Sequence, residues 1–415
     1  MNGGVSLNRR WTMLLPVIFV SYSLSYLDRA NFSFGAAAGM ATDLNISASE
    51  NSLLGSLFFL GYFLFQIPGA IYAQKYSAKR LIFFGLIGWG LLASATGLIT
   101  DINLLYLDRF LLGIVESAVL PAMLILQSRW YTRNERARAN AFLVLGNPAT
   151  MLWMSLLSGW LVSEFGWRWM FIIEGLPPVI WAFVWWKVVA DHPRDATWLA
   201  PADQQALDAQ LAQEQRGIAP IRNYAAAFKS PKVIALSAQY FLWSIGVYGF
   251  VIWLPSILKT RDMTMTELGL LSAVPYLAAV IAEISVATLS DFSKKRMPLV
   301  WPCLFLAAAA FYGSYLLGST NFWASFVLLI IAGAMMYAPY GPYFAYLAET
   351  LPANVAGGAI ALINSMGALG SFVGSYGVGR LNAVTGSPGA SYLLMAAALI
   401  VSAAITFMLG KKATA

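Results

Sequence analysis

The sequence predicts an all-α membrane protein: twelve transmembrane helices in two pseudo-symmetric six-helix bundles. Three observations predict it. Of the 415 residues, 59% are hydrophobic and only 11% charged, against about a quarter charged in soluble domains. The apolar residues fall into runs of about 20, the length that carries a helix across a hydrocarbon core of ~30 Å. One sizeable polar stretch, about Asp191–Ser230, divides these runs into two equal sets.

In the first set the runs are 11–36, 51–74, 81–100, 103–127, 138–163 and 168–190. The first follows Arg9-Arg10 and continues well past the apolar stretch of a secretory leader, so it reads as a span and not as a cleaved signal. The second set is 232–258, 267–290, 297–318, 321–348, 355–381 and 389–410. The expected organisation is an N-terminal bundle (1–190), a central loop (191–231) and a C-terminal bundle (232–415). Within the loop, Pro201-Ala202-Asp203 ahead of Gln204-Gln205 reads as a helix start. Tyr76-Ser77-Ala78-Lys79-Arg80 after the second run is echoed by Phe292-Ser293-Lys294-Lys295-Arg296 after the eighth. Repeated halves of this kind mark transporters that work by alternating access around a midplane site.

The formal net charge is +7, and its distribution sets the orientation. Arg9, Arg10, Lys75, Lys79, Arg80, Arg129, Arg136, Arg194, Arg216, Arg222 and the Lys294-Lys295-Arg296 run share one side, while Arg168, Lys259, Arg261 and Arg380 fall on the other. The positive-inside rule then puts both termini and the central loop in the cytoplasm. Short basic clusters between apolar runs are not an extended basic face, so no nucleic-acid partner is expected. The single cysteine, Cys303, lies in an apolar run and the single histidine, His192, in a polar loop. No disulfide framework, metal site or cofactor is expected from these, and no enzyme motif is present, neither a Gly-x-Ser-x-Gly elbow nor a phosphate loop. The lipid bilayer is the expected partner of a chain that works as a monomer.

The candidate site comes from charges inside the runs. Asp28 and Arg29 sit mid-way along the first, Arg109 and Glu116 in the fourth. An ionised side chain at bilayer depth costs about 3 kcal/mol on insertion scales, so it persists where it faces a partner or a cavity. Arg109 and Glu116 are seven residues apart, two helical turns or about 10 Å, on one helix face. An arginine fork reads a carboxylate through two parallel charge-assisted hydrogen bonds. It cannot shed its own charge, so an empty site needs a counter-charge that Asp28 or Glu116 supplies and that a proton can neutralise. Arg29 and Arg109 are therefore candidate substrate ligands, and Asp28 and Glu116 candidate proton carriers; a salt bridge that merely locks helix packing is the plain alternative. Glu283, in the eighth run with no basic residue beside it, is a third candidate proton site. Tyr62, Gln66, Asn147, Tyr248, Tyr340, Tyr343 and Asn364 could hydrogen-bond a polyhydroxylated ligand, or serve as glue between helices. Pro148 after Asn147 should break the fifth span.

Several longer motifs carry a resemblance. Tyr26-x-Asp28-Arg29, Arg109-x3-Gly113-x2-Glu116, Arg129-Trp130-Tyr131 with Glu135-Arg136, and Gly166-Trp167-Arg168-Trp169-x-Phe171-x2-Glu174-Gly175 resemble the anion:cation symporter family of the major facilitator superfamily. Within it the chain looks most like the bacterial 2-ketogluconate transporters, on Ser23–Phe34, Phe65–Ala73, Ser244–Phe250, Tyr337–Pro342 and the stretch from Asn354-Val355 to Phe372. The resemblance implies the major facilitator fold and proton-driven import of a sugar-acid anion across a bacterial inner membrane. It puts Arg29 and Arg109 on the substrate carboxylate, Asp28 and Glu116 on the proton, and Tyr62, Asn147 and Asn364 around the sugar chain. One departure stands out. After the second span, Gln74 occupies the position where the superfamily usually has an acid, and Ser77 that of a glycine, whereas the second half keeps Asp291. That departure predicts a less firmly held gate in the first half.

Overall fold

The computed structural model describes residues 9–215, 229–259, 263–293, 295–318, 320–350 and 356–414. Arg216, Arg222, Arg261 and Lys294 of the orientation argument, the middle of the central loop and the Asn354-Val355 motif start lie outside them. All regular structure among the described residues is helical. Among the described residues ten stretches are long and apolar enough to cross a membrane. One of these, Arg138–Val188, is two helices folded at Gly166, whose φ of +81° and ψ of 167° no helix contains. A side chain would be strained in that conformation, although there is open space around it. Ser158 and Glu174, eight residues to either side, hydrogen-bond at 2.6 Å, so the chain reverses direction there. The first span is more polar than the rest and completes the set of twelve.

The spans are α1 (Leu15–Ala37), α2 (Ala48–Lys75), α3 (Ala78–Thr96), α4 (Ile102–Trp130), α5 (138–165), α6 (167–188), α7 (Pro231–Leu258), α8 (Met265–Ser293), α9 (Met297–Gly318), α10 (Phe322–Leu347), α11 (Ala356–Thr385) and α12 (Gly389–Thr414). The central loop carries the helix Pro201–Gln215, whose Leu207 and Leu211 are buried, and Trp198 before it stacks on Trp130 at 5.2 Å.

Prolines interrupt three of these spans close to the centre, and the reason is local. Proline has no N–H for the carbonyl four residues back and its ring crowds that carbonyl. Pro121 thus loosens α4 at Ser117-Ala118, directly after Glu116; Pro148 loosens α5 at Leu145; Pro342 follows the break in α10 at Ala338-Pro339. Glycines bring α2 and α4 into backbone contact at the same level. A Cβ on Gly61 would overlap the Phe110 carbonyl, and one on Gly113 the Phe58 carbonyl. This approach sets Phe58 and Tyr62 of α2 against the charged face of α4.

The halves meet through symmetry-related pairs, α5 with α8 and α2 with α11. At the end of the bundle opposite the described termini both pairs close tightly. A Cβ on Gly159 would come within 2.6 Å of the Met265 carbonyl, and one on Gly379 would strike the Ser52 hydroxyl. Arg380 adds a hydrogen bond to Ser49 at 3.3 Å there. At the termini end, each half is tied within itself. Asp191, just after α6, accepts from the Ser77 hydroxyl and from the Ala78 and Lys79 amides at 2.8 and 3.1 Å, and pairs with Arg129 at 3.3 Å. Arg129 also donates to the carbonyls of Ala73 and Gln74. Arg129, held beside Gln74, thus takes its carboxylate partner from Asp191, 62 residues further along the chain. In the second half Arg296 pairs with Asp291 at 2.6 Å and Glu349 at 2.7 Å.

Candidate functional site

Asp28, Arg29, Arg109 and Glu116 form one buried layer between α1 and α4, and two further acids join it. Arg29 Nε lies 3.2 Å from Glu116 Oε2. Its guanidinium sits 4.7 Å from the Tyr62 ring centre, 5.1 Å from Tyr26 and 5.6 Å from Phe58, a cage of aromatic faces that favours a cation. Its Nη2 is buried with no protein acceptor among the described residues. Arg109 is placed differently. Its Nη1 reaches the backbone carbonyl of Asp28 at 3.4 Å, and its guanidinium lies 5.1 Å from the Phe32 ring and 5.7 Å from Phe58. Both guanidiniums thus lie within about 6 Å of the Phe58 ring centre.

The acids differ in what they touch. Neither carboxylate oxygen of Asp28 has a hydrogen-bond partner among the described residues, and Glu116 Oε1 is likewise bare. Burying a carboxylate anion in that way is costly. Asp108 accepts from Thr96 Oγ1 at 2.7 Å. Glu174, on α6, accepts from Ser158 at 2.6 Å and is 1% exposed. Asn31, one turn beyond Asp28 on α1, faces the same carboxyl. The sequence reading overlooked Glu174 as a member of the charged layer. The signal was available, since it is an acid in the middle of a span.

A small cavity of about 50 Å³ opens beside this layer at the junction of the halves. Arg29, Tyr62, Asn147, Tyr248, Tyr340 and Asn364 of the predicted set all line it, together with Tyr22, Tyr26, Tyr240 and Ser244, which were not singled out. The two halves touch across it where the Tyr26 and Tyr248 hydroxyls meet at 2.8 Å. The other predicted residues do not reach the wall. Asp28, Arg109 and Glu116 lie behind it, and Gln66 is fully buried one turn along α2 from Tyr62. Tyr343 stacks on Tyr240 at 5.5 Å and donates to the Leu236 carbonyl, so it supports the wall from outside. Glu283 is buried on α8, one face with Tyr276 and near Tyr337. A cavity this size holds a few waters, so a larger guest requires the halves to part. A second space of about 700 Å³ lies at the end of the second half opposite the described C-terminus, lined by Trp253, Tyr315, Asn382 and Tyr392 among others, with no charged side chain among the described residues that line it.

Residues 18–375 match the sequence profile of the Major Facilitator Superfamily. The chain belongs to the Major Facilitator Superfamily. It is a multi-pass integral membrane transporter. A putative tartrate transporter of Agrobacterium vitis is 31% identical over 407 residues, 96% of this chain and 90% of the relative. A quinolone resistance transporter of Acinetobacter baumannii is 29% identical, over 96% of this chain and 93% of the relative. Among solved structures, a bacterial homolog of the human lysosomal transporter Spinster, in an inward-facing and occupied conformation, superposes with a TM-score of 0.72 at 18% identity, covering 97% of both chains. That likeness concerns the fold alone; in this chain the cavity beside Arg29 is lined from both halves.

Proposed function

We propose that this transporter is a proton-coupled symporter of the anion:cation symporter family, and that it imports a sugar-acid anion, with 2-keto-D-gluconate as the leading candidate. The observation that carries the reading is Arg29, a cation on the wall of a central cavity, backed by an acid that a proton can neutralise. With the site empty, Glu116 balances Arg29. An incoming carboxylate competes for the same guanidinium, whose unpartnered Nη2 offers it a charge-assisted hydrogen bond. A proton taken by Glu116 or Asp28 releases Arg29 to the substrate, so anion and proton bind as a unit. Asn147, Asn364 and the wall tyrosines supply hydrogen bonds to hydroxyls. The tartrate transporter among the relatives supports an organic acid as cargo. The basic clusters support a topology with both termini in the cytoplasm.

A second reading, export of organic anions or drugs, is favoured by the quinolone resistance relative. Proteoliposomes separate the two. Under the first reading an inward proton gradient drives accumulation of labelled 2-ketogluconate and an uncoupler abolishes it. Under the second, collapsing the gradient in cells raises retention. Absence of any labelled sugar acid inside the vesicles under either gradient would discard the symport reading.

A further inference from the structure

The organic-anion reading above leaves open how many carboxylates the cargo carries, and the charge count of the cavity wall answers it. Of the described side chains on that wall, Arg29 alone carries a formal charge. The second half contributes Tyr240, Ser244, Tyr248, Tyr340 and Asn364, which offer hydroxyls and an amide but no cation. Arg109 is 1% exposed and does not line the cavity. With Glu116 on Arg29 at 3.2 Å the wall is neutral, and one proton on Glu116 leaves one positive charge. One carboxylate restores neutrality. A second, at the other end of a four- to six-carbon chain, would lie against tyrosines and amides with no counter-cation. It would also share the site with the carboxyls of Asp28 and Glu116. A charge buried unpaired costs far more than a buried hydroxyl with hydrogen-bond partners.

We infer that the site selects monocarboxylates bearing a hydroxylated chain and rejects dicarboxylates of the same length. The inference rests on the organic-anion reading and sharpens it, because it separates this chain's cargo from the dianion tartrate that the relative's name carries.

The test uses pairs of acids that differ only at the last carbon: gluconate against glucarate, and threonate against tartrate. Binding to the purified full-length protein is followed by thermal shift and by competition against labelled 2-ketogluconate. The expected result is that each monoacid binds at least about a hundredfold tighter than its diacid, in line with the discrimination that unpaired buried polar groups impose. Diacids within threefold of their monoacids would overturn the monoanion rule while leaving the organic-anion reading intact. Failure of all four acids and of 2-ketogluconate to bind would overturn both. Ser244→Arg places a cation on the second half's wall; it should raise tartrate or glucarate affinity at least tenfold relative to the matched monoacid. An unchanged ratio in a folded Ser244→Arg protein would count against charge as the discriminating feature.

Discussion

Arg29 and Glu116 meet at 3.2 Å through Nε and Oε2, an ion pair in which the arginine is 6% exposed and the glutamate fully buried. The pair joins α1 to α4, and the geometry leaves Arg29 Nη2 unengaged. A buried pair of this kind contributes little net stability, whereas removing one partner strands the other. It is therefore suited to being opened by a competing anion.

The two arginines should respond differently to mutation. Arg29→Ala removes the cation of the cavity wall and should abolish sugar-acid binding. Arg29→Lys keeps the charge but loses the planar fork, and should weaken binding by about tenfold or more. Arg109→Ala should also abolish binding, through the loss of its hold on the Asp28 carbonyl and on Phe58, and it should lower thermal stability as well. Titration of each variant with 2-ketogluconate, read by thermal shift, checks all three; near-normal affinity in Arg29→Ala would remove the carboxylate assignment.

Glu116→Gln keeps the shape and hydrogen-bonding capacity of the side chain and fixes it neutral. Arg29 then faces no competing negative charge at position 116. Exchange of labelled for unlabelled substrate across vesicles should continue, while accumulation driven by a proton gradient should fail. Both are measured in the same proteoliposomes, and uphill transport by this variant would move the coupling to Asp28 or Glu283.

The twelve spans were legible because a membrane helix announces itself by length and composition alone, and α9 coincides with the run 297–318. The charges of the layer were legible for a related reason, since an acid or arginine inside an apolar run is rare. Depth relative to the cavity was not legible. Arg29 and Arg109 look equivalent in sequence, yet of the two only Arg29 reaches the wall, while Arg109 is turned onto the Asp28 carbonyl between α1 and α4. Tyrosines posed a further ambiguity. Tyr340 and Tyr343 are three residues apart, and the turn of α10 puts one on the cavity and the other behind Tyr240. Asp191 could not be paired with Arg129 from sequence, since 62 residues separate them.

Glu174 tests whether the α5–α6 hairpin depends on its buried bond. Glu174→Ala strands the Ser158 hydroxyl at a dry interface and opens a cavity beside Asn31. The loss should be about 1–3 kcal/mol, the range for a buried group left without its partner. Glu174→Gln keeps an acceptor for Ser158 and should cost less. Comparing the melting temperatures of the two variants in one detergent checks the ranking; equal losses would mean that the carboxylate charge, and not the hydrogen bond, matters at this position.

Asp191 gives the corresponding test at the termini end of the first half. Its carboxylate sits at the start of α3, where free amides and the helix dipole favour an anion, and it also faces Arg129. Removing a side-chain acceptor from a helix start costs about 0.5–2 kcal/mol. Asp191→Ala should therefore lower the melting temperature by a few degrees, and it should leave substrate affinity unchanged because the cavity lies elsewhere. Asp191→Asn retains an acceptor for Ala78 and Lys79 but loses the charge opposite Arg129, so its loss should fall between wild type and alanine. If the position is the replacement for the acid absent at Gln74, then Gln74→Asp introduced into Asp191→Ala should recover part of the stability by giving Arg129 a new partner. No recovery in that double variant, with both single variants folded, would show that capping of α3 alone explains Asp191.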